Sequence, residues 1–236
     1  MSRIFFVTGN DTGVGKTVLS VLLIRHLRRT GRSAVALKPF CSGGREDAEA
    51  LFRAQAGEIA LDRINPWHFR APLSPALAAR RERRRIQLRS VLHFLRREAR
   101  GPETLLIEGA GGLLSPLGDD YSARDLIGRL DAVPLVVCPN RLGVLNQVLL
   151  VTDALPQRVR SQARVVLMQP EFPDPSTASN PGELGARLGP ERVFVLPRFR
   201  SDPGESPGVR VNRILEGVIS GSMGRTGRSL PPAGRR

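Results

Sequence analysis

The chain is poor in thiols and in long apolar runs. Cys41 and Cys138 are its two cysteines among 236 residues. That number is too low for a disulfide framework, and their spacing matches no metal motif, so we expect both to be structural thiols. The apolar stretch at residues 18–24 is interrupted by Ser20 and is far shorter than the ~20 residues of a membrane span. A strand begins a few residues after Met1, which leaves no room for a leader, so the sequence predicts a cytoplasmic protein.

Lysine is almost missing. The formal net charge is +14, yet of the 36 basic residues only Lys16 and Lys38 are lysines. The densest basic run, residues 80–85, has no interleaved aromatic residues, so we interpret it as a solvated helix end and consider nucleic acid an unlikely partner. An ammonium is a compact point charge that enters a crowded phosphate site, whereas guanidinium is a wide planar fork. The two lysines are therefore candidates for chemistry.

Residues 9–17 form a glycine-rich segment between an apolar run, residues 4–7, and a helical run, residues 18–27. Such a turn presents backbone N–H groups to phosphate, and the helix N-terminus adds partial positive charge. In this arrangement Lys16 reaches the outer phosphates and the Thr17 hydroxyl is placed to ligate Mg²⁺. Asn10 stands where the template G-x-x-x-x-G-K-[ST] has its first glycine, so the loop is a variant. The pattern predicts a nucleoside triphosphate site.

Short apolar runs alternate with helical patterns along the chain. We predict strands at residues 4–7, 33–37, 103–107, 134–138, 164–168 and 193–197, and a helix over residues 142–155. This alternation predicts an α/β fold with a mainly parallel sheet covered by helices on both faces, in three layers. We expect one domain at residues 1–220 and a disordered basic tail at residues 221–236.

Charged residues follow two of these strands. Open parallel sheets bind ligands beyond the carboxyl ends of their strands. Lys38 ends the second strand and Glu108 the third, so both are expected beside the phosphate loop. Asp47 falls in the first turn of a helix, where a role as a helix-dipole carboxylate is at least as plausible as a metal role. Residues 65–75, which carry the only Trp, are interpreted as an irregular loop that shapes a pocket.

Several segments together resemble the dethiobiotin synthetase family in content and order. The resemblance runs from residue 3 to residue 199 and rests on residues 7–17, Lys38-Pro39, Ser42-Gly43, residues 108–112, and Leu142-Gly143 with Asn146. It implies a P-loop NTPase-like fold and a Mg²⁺- and ATP-dependent ligase of biotin biosynthesis. Such an enzyme takes up CO₂ and closes a cyclic urea on 7,8-diaminononanoate, working as a homodimer.

The resemblance also implies roles for individual residues. Lys16 and Lys38 would be catalytic. The metal would be held by Thr17, Asp47 and Glu108. The nucleotide would be bound by Gly13, Val14, Gly15, Lys16, Thr17, Val18, Glu108, Gly109, Ala110, Gly111, Gln169, Pro197, Arg198 and Phe199. The substrate would be bound by Thr12, Lys38 and Ser42, with Leu142, Gly143, Leu145 and Asn146 contributed by the partner subunit.

Two alternatives keep the fold and change the function. A cobyrinate-type amide ligase shares the phosphate loop but normally carries a glutaminase domain, for which 236 residues leave no space. A partitioning-type switch ATPase usually has a lysine early in the loop, where Asp11 and Thr12 stand.

In the family that this chain resembles, an Asn after the fifth strand reads adenine, and Gln169 takes its place. We therefore expect several nucleoside triphosphates to be accepted with similar efficiency.

Overall fold

The computed structural model of this chain describes residues 2–199 and 207–221, so the predicted tail lies outside the described residues apart from Gly221. The strands in this part of the chain are β1 (Arg3–Gly9), β2 (Ala34–Leu37), β3 (Phe40–Ser42), β4 (Trp67–Phe69), β5 (Thr104–Glu108), β6 (Val133–Pro139), β7 (Arg164–Met168) and β8 (Val193–Leu196). The helices are α1 (Lys16–Arg29), α2 (Glu46–Ala54), α3 (Leu61–Ile64), α4 (Pro75–Arg81), α5 (Leu88–Glu98), α6 (Ala123–Leu130), α7 (Val144–Ala154), α8 (Gln157–Arg160), α9 (Asn180–Leu188) and α10 (Val209–Ser220).

Six strands form a parallel sheet in the order β2-β5-β1-β6-β7-β8, which confirms the six predicted strands. Alternate residues of β1 enter two separate cores, because successive strand side chains point to opposite faces. Phe6 packs in one core, while Phe5 and Val7 pack in the other. Helices cover both faces, so the three-layer α/β/α prediction is confirmed. None of the described helices has the length and apolar composition needed to cross a bilayer.

A second, two-stranded parallel sheet pairs β3 with β4. The interpretation of residues 65–75 as wholly irregular was wrong for β4. Trp67 stacks on Phe40 with ring centroids 5.4 Å apart, and its backbone N–H donates to the carbonyl of Pro39. Strands of three residues between prolines carry no periodic signal, so their pairing depends on this tertiary contact.

The outer side of β2 is hydrogen-bonded by side chains and by α3. The amide of the buried Gln55 pairs with both backbone groups of Ala36: Oε1 accepts from the N–H at 2.8 Å and Nε2 donates to the carbonyl at 3.0 Å. The Lys38 N–H donates to the carbonyl of Ile64, and Asn65 Nδ2 donates to the carbonyl of Lys38 at 2.8 Å. The β2 backbone is therefore fixed up to Lys38.

Candidate active site

The phosphate loop lies between the end of β1 and the start of α1, as the sequence predicted. Gly13 and Gly15 have φ values of 71° and 97°, which favour glycine. A Cβ added at Gly15 would lie 2.9 Å from Cε of Met168. The positive φ therefore favours glycine at this position, and a larger residue would also displace the end of the Met168 side chain. The loop and the start of α1 open into a cavity of about 680 Å³.

Lys16 lies against the loop that carries it. Its Nζ donates to the carbonyl of Asp11 at 2.7 Å, and the residue is buried. Burial lowers the pKa of Lys16, and the nearby charge of Lys38 lowers it further. The ammonium is thus held at the mouth of the loop, within the larger cavity.

Lys38 occupies the centre of a charged cluster formed at the ends of β2 and β5. Its Nζ donates to Glu108 Oε1 at 2.6 Å, to Asp47 Oδ2 at 2.8 Å and to the carbonyl of Gly109 at 3.1 Å. Burial alone would lower the pKa of Lys38, but the charges of Glu108 and Asp47 outweigh it and hold the pKa above its usual range. The side chain is therefore an ammonium whose three donors are all used.

Oxygen atoms suited to a divalent cation converge beside this ammonium. Thr17 Oγ1 donates to Glu108 Oε1 at 2.7 Å, and Glu108 Oε2 is buried with no hydrogen-bond partner in the described part of the chain. Burial would raise the pKa of Asp47, but the charge of Lys38 and its hydrogen bond to Asp47 hold that pKa below its usual range. The described residues contain no cluster of three His, Cys, Asp or Glu side chains. Thr17, Asp47 and Glu108 offer oxygen atoms alone, and such a donor set fits Mg²⁺ whose other ligands are phosphate oxygens and water.

The rest of the larger cavity is lined by small, polar and apolar groups. Ser42 Oγ is buried without a hydrogen-bond partner among the described residues, and Cys41 beside it has its pKa raised to about 11 by burial. Leu73 adds an apolar side chain from the segment after β4. Other predicted residues on this wall are Thr12, Val18, Ala110 and Gly111. The cavity therefore places an apolar surface beside the charged cluster.

A second cavity, of about 380 Å³, begins at Thr17 and Val18 and lies beyond the start of α1. Its far wall is formed by the predicted residues Gln169, Pro197, Arg198 and Phe199. The two cavities share Thr17 and Val18, so a ligand with phosphates at the loop could extend into the second one. Asn140, at the end of β6, contacts Gln169 and was not predicted. The sequence could have indicated Asn140 by its position, because it directly follows a strand of the sheet, and Lys38 and Glu108 also lie at strand ends.

Residues 142–146 lie apart from the larger cavity. Leu142 is 80% exposed at the turn before α7, and Gly143 and Asn146 are also exposed. Leu145 is half-buried. The connection to the phosphate loop is indirect: Asn10 Nδ2 donates to Gln147 Oε1 at 2.7 Å. Within one chain, these four predicted residues are therefore not brought to the charged cluster.

Comparisons with known proteins identify the family of this chain. A family model described as an AAA domain matches residues 3–199. The chain is 38% identical to the ATP-dependent dethiobiotin synthetase BioD of Anaeromyxobacter sp. (strain Fw109-5), over 84% of this chain and 91% of that protein. It is 41% identical to the protein of the same name from Anaeromyxobacter sp. (strain K), over 83% and 90% of the two chains. The protein of that name from Phenylobacterium zucineum (strain HLK1) is 36% identical, over 84% and 89%.

Among solved structures, the structure of pnob8 ParA is similar, with a TM-score of 0.53 over 94% of this chain and 98% of that one. Its sequence is only 11% identical, so this likeness concerns the fold. The sequence relatives share a far higher identity with this chain, and the alignments cover 91% and 90% of the two relatives from Anaeromyxobacter. The chain therefore belongs to the family of the ATP-dependent dethiobiotin synthetases.

Proposed function

We propose that this protein is a dethiobiotin synthetase that uses ATP and CO₂ to close a cyclic urea on 7,8-diaminononanoate, in the cytoplasm, as a step of biotin biosynthesis. The observation that carries the proposal is the position of Lys38. The residue is an ammonium on a different strand from the phosphate loop, yet its cavity is shared with Lys16. The family suggests the reaction, and Lys38 is a second cation that can stabilise the anions which form in it.

The reaction passes through anions at each step. One amine adds to CO₂ and loses a proton, giving a carbamate. A carbamate oxygen then attacks the γ-phosphorus of ATP and ADP leaves, which gives a carbamic-phosphoric anhydride. The second amine attacks the anhydride carbon and releases a proton to the solvent, and phosphate leaves, closing the ring. Lys38, whose three donors bind Asp47, Glu108 and Gly109, would attract the carbamate by its positive charge, and Lys16 would bind the outer phosphates, so both would stabilise charge that moves during the reaction.

Thr17, Asp47 and Glu108 would hold Mg²⁺, whose charge when bound neutralises the phosphate oxygens. The buried, unpartnered Glu108 Oε2 supports this assignment. Ser42, also buried and unpartnered, would bind the carbamate or the amine beside Lys38. The nucleotide base would lie in the second cavity, between Gln169 and Phe199.

A homodimer would complete the substrate site. Leu142 is 80% exposed and Leu150, on the next helix, is 63% exposed. Exposed apolar side chains are costly in water when they form a patch, and burial of Leu142 and Leu150 against a second subunit would remove that cost, which supports a homodimer. In a homodimer the partner subunit would bring Leu142, Gly143, Leu145 and Asn146 to the diamine chain. The partitioning and amide-ligase alternatives are not favoured, since the sequence relatives carry the dethiobiotin synthetase name.

The test measures phosphate release from ATP with and without 7,8-diaminononanoate and bicarbonate, and dethiobiotin formation by mass spectrometry. We expect phosphate release to depend on both co-substrates and to match dethiobiotin one to one. Phosphate release that is unaffected by the diamine, with no dethiobiotin, would rule out the proposal and point to a nucleotide-switch ATPase.

A further inference from the structure

The second cavity is almost free of side-chain acceptors. Of the side chains that line it, Thr17 and Gln169 alone carry an oxygen atom, whereas Arg25, Arg53 and Arg198 carry only donors. The Thr17 hydroxyl is directed to Glu108. Among these side chains, the orientation of the Gln169 amide therefore decides whether a base in this cavity meets an acceptor or a further donor.

A chain of hydrogen bonds fixes that orientation. Asn140 Nδ2 donates to the carbonyl of Thr177 at 2.9 Å, and Asn140 Oδ1 accepts from Asn180 Nδ2 at 3.0 Å. A carbonyl can only accept, so Thr177 determines which atom of the Asn140 amide is the nitrogen. The same Nδ2 faces Gln169 Oε1 at 3.4 Å. The Gln169 oxygen is thus held at Asn140, and the NH₂ group is the part left for the cavity.

The backbone supports the same placement. The Gln169 N–H donates to the carbonyl of Leu196 at 2.9 Å, which continues the pairing of β7 with β8 by one residue. Asn140 is likewise fixed, since its N–H donates to the carbonyl of Met168 at 2.9 Å. Both amide side chains therefore leave from rigid strand ends, and exchange of their roles would leave the Thr177 carbonyl without its donor.

We infer that Gln169, positioned by Asn140, makes this nucleotide site prefer a base with a carbonyl oxygen at position 6 over adenine, while ATP is still accepted. Adenine has an amino group at position 6, which needs an acceptor, whereas hypoxanthine and guanine have a carbonyl oxygen there. A cavity in which Gln169 offers its NH₂ group pairs with the carbonyl and leaves the amino group without a side-chain partner, which costs affinity. The inference rests on the proposed function, which places the nucleotide base in the second cavity.

The first measurement compares ATP with ITP, which has the same purine frame with a carbonyl in place of the amino group. Isothermal titration calorimetry on the full chain with Mg²⁺, without diamine, gives both dissociation constants. We expect ITP to bind roughly fivefold more tightly, the factor that one average net hydrogen bond gives. Tighter binding of ATP to the unaltered protein would overturn the inference.

Two variants should reverse the preference. Gln169→Glu keeps one oxygen for Asn140 and offers the other to the base, so the ATP:ITP affinity ratio should rise at least tenfold. Asn140→Asp removes the donor that holds Gln169, so the amide turns and presents its oxygen, with the same effect on the ratio. Asn140→Asp also breaks the bond to Thr177, so Gln169→Glu carries the test if the aspartate variant does not fold. An unchanged ratio in a folded Gln169→Glu protein would overturn the inference.

Controls separate base reading from general effects. Gln162→Glu adds the same charge at an exposed glutamine and should leave the ATP:ITP affinity ratio unchanged. The affinity for inorganic triphosphate should be equal in Gln162→Glu and in the unaltered protein.

Turnover distinguishes the inference about base reading from the proposed function. A preference for ITP without dethiobiotin formation from either nucleotide would support base reading and reject the proposed function. Dethiobiotin formation together with a preference for ATP would do the reverse.

Discussion

Lys38 and Glu108 form a buried ion pair across two adjacent strands, with Nζ 2.6 Å from Oε1 and side chains 4% and 0% exposed. The cation directly follows β2 and the anion ends β5, and the parallel register of these strands pairs Leu37 with Ile107, one residue before each charge. The sheet itself therefore sets the distance. Because Glu108 also accepts from Thr17, the pair connects the phosphate loop to the rest of the cavity.

We predict that Lys38→Ala and Lys16→Ala fail in different ways. Lys38→Ala should lower kcat for ring closure by at least ~10²-fold, the typical cost of one lost charge-stabilising group, and leave nucleotide affinity largely intact. Lys16→Ala should weaken nucleotide binding itself. Calorimetry with ATP and a turnover assay check both. Equal loss of nucleotide affinity in the two variants would show that Lys38 is only another phosphate ligand.

Lys38→Arg should not restore activity, although arginine is the usual cation of this chain. The guanidinium is a planar fork, and the cluster places Asp47, Glu108 and the Gly109 carbonyl around a single nitrogen. Full turnover in Lys38→Arg would mean that charge alone is needed.

Lys38→Ala should also destabilise the fold. It leaves the buried Glu108 without its cation, so the free energy of unfolding should fall by about 3–5 kcal/mol. Urea unfolding of Lys38→Ala and of the unaltered protein checks this expectation.

Thiol reactivity should be low in the folded protein. Burial raises the pKa of Cys41 to about 11 and that of Cys138 to about 12. Each pKa unit removes about nine-tenths of the thiolate at pH 8, so we expect both thiols to react at least ~100-fold more slowly than after denaturation. Because the folded pKa values lie above the unfolded ones, these groups stabilise the fold below about pH 9, and the contribution falls as pH rises toward 11. Reaction of the native and the denatured protein with 5,5′-dithiobis(2-nitrobenzoate) measures both rates. Rapid release of one equivalent of thionitrobenzoate from the native protein would contradict the expected low reactivity.

Removal of the Gln55 amide should destabilise the fold without touching the cavities. Gln55→Leu keeps the size but leaves the Ala36 N–H and carbonyl without partners. We expect a loss of about 3 kcal/mol, since an unsatisfied buried group costs roughly 1–3 kcal/mol. The Tm should fall by roughly 6–12 °C. The exposed Gln162→Leu is the control and should change Tm little. Similar Tm values for both variants would show that water replaces the amide.

The proposed dimer predicts that association and activity are lost together. Leu142→Asp places a charge on a side chain that is 80% exposed in the single chain, so monomer folding should be unaffected. In the homodimer it would face the partner, and we expect a monomer by light scattering with a raised KM for the diamine. A monomeric unaltered protein with full activity at the working concentration would rule out the dimer.

The main strands were predictable because buried parallel strands are short continuous apolar runs, and residues 134–138 and 165–168 are of this kind. The convergence of Lys38 with Glu108 was predictable too, since both close such runs. The contact with Asp47 depends on how α2 lies after the turn at Gly43, which no local pattern determines. The contact between Asn140 and Gln169 depends on the stagger of β6 and β7, so the sequence alone could not reveal it.

The hydrogen-bonded outer side of β2 also bears on how copies of this protein behave toward one another. A free sheet edge is a template on which a second chain can add a strand. Here the backbone groups of Ala36 are already paired by an amide that mimics a neighbouring strand, and those of Lys38 by Ile64 and Asn65. Side chains and a backbone carbonyl of the chain itself therefore occupy these edge groups, which disfavours the addition of a strand from a second copy at β2.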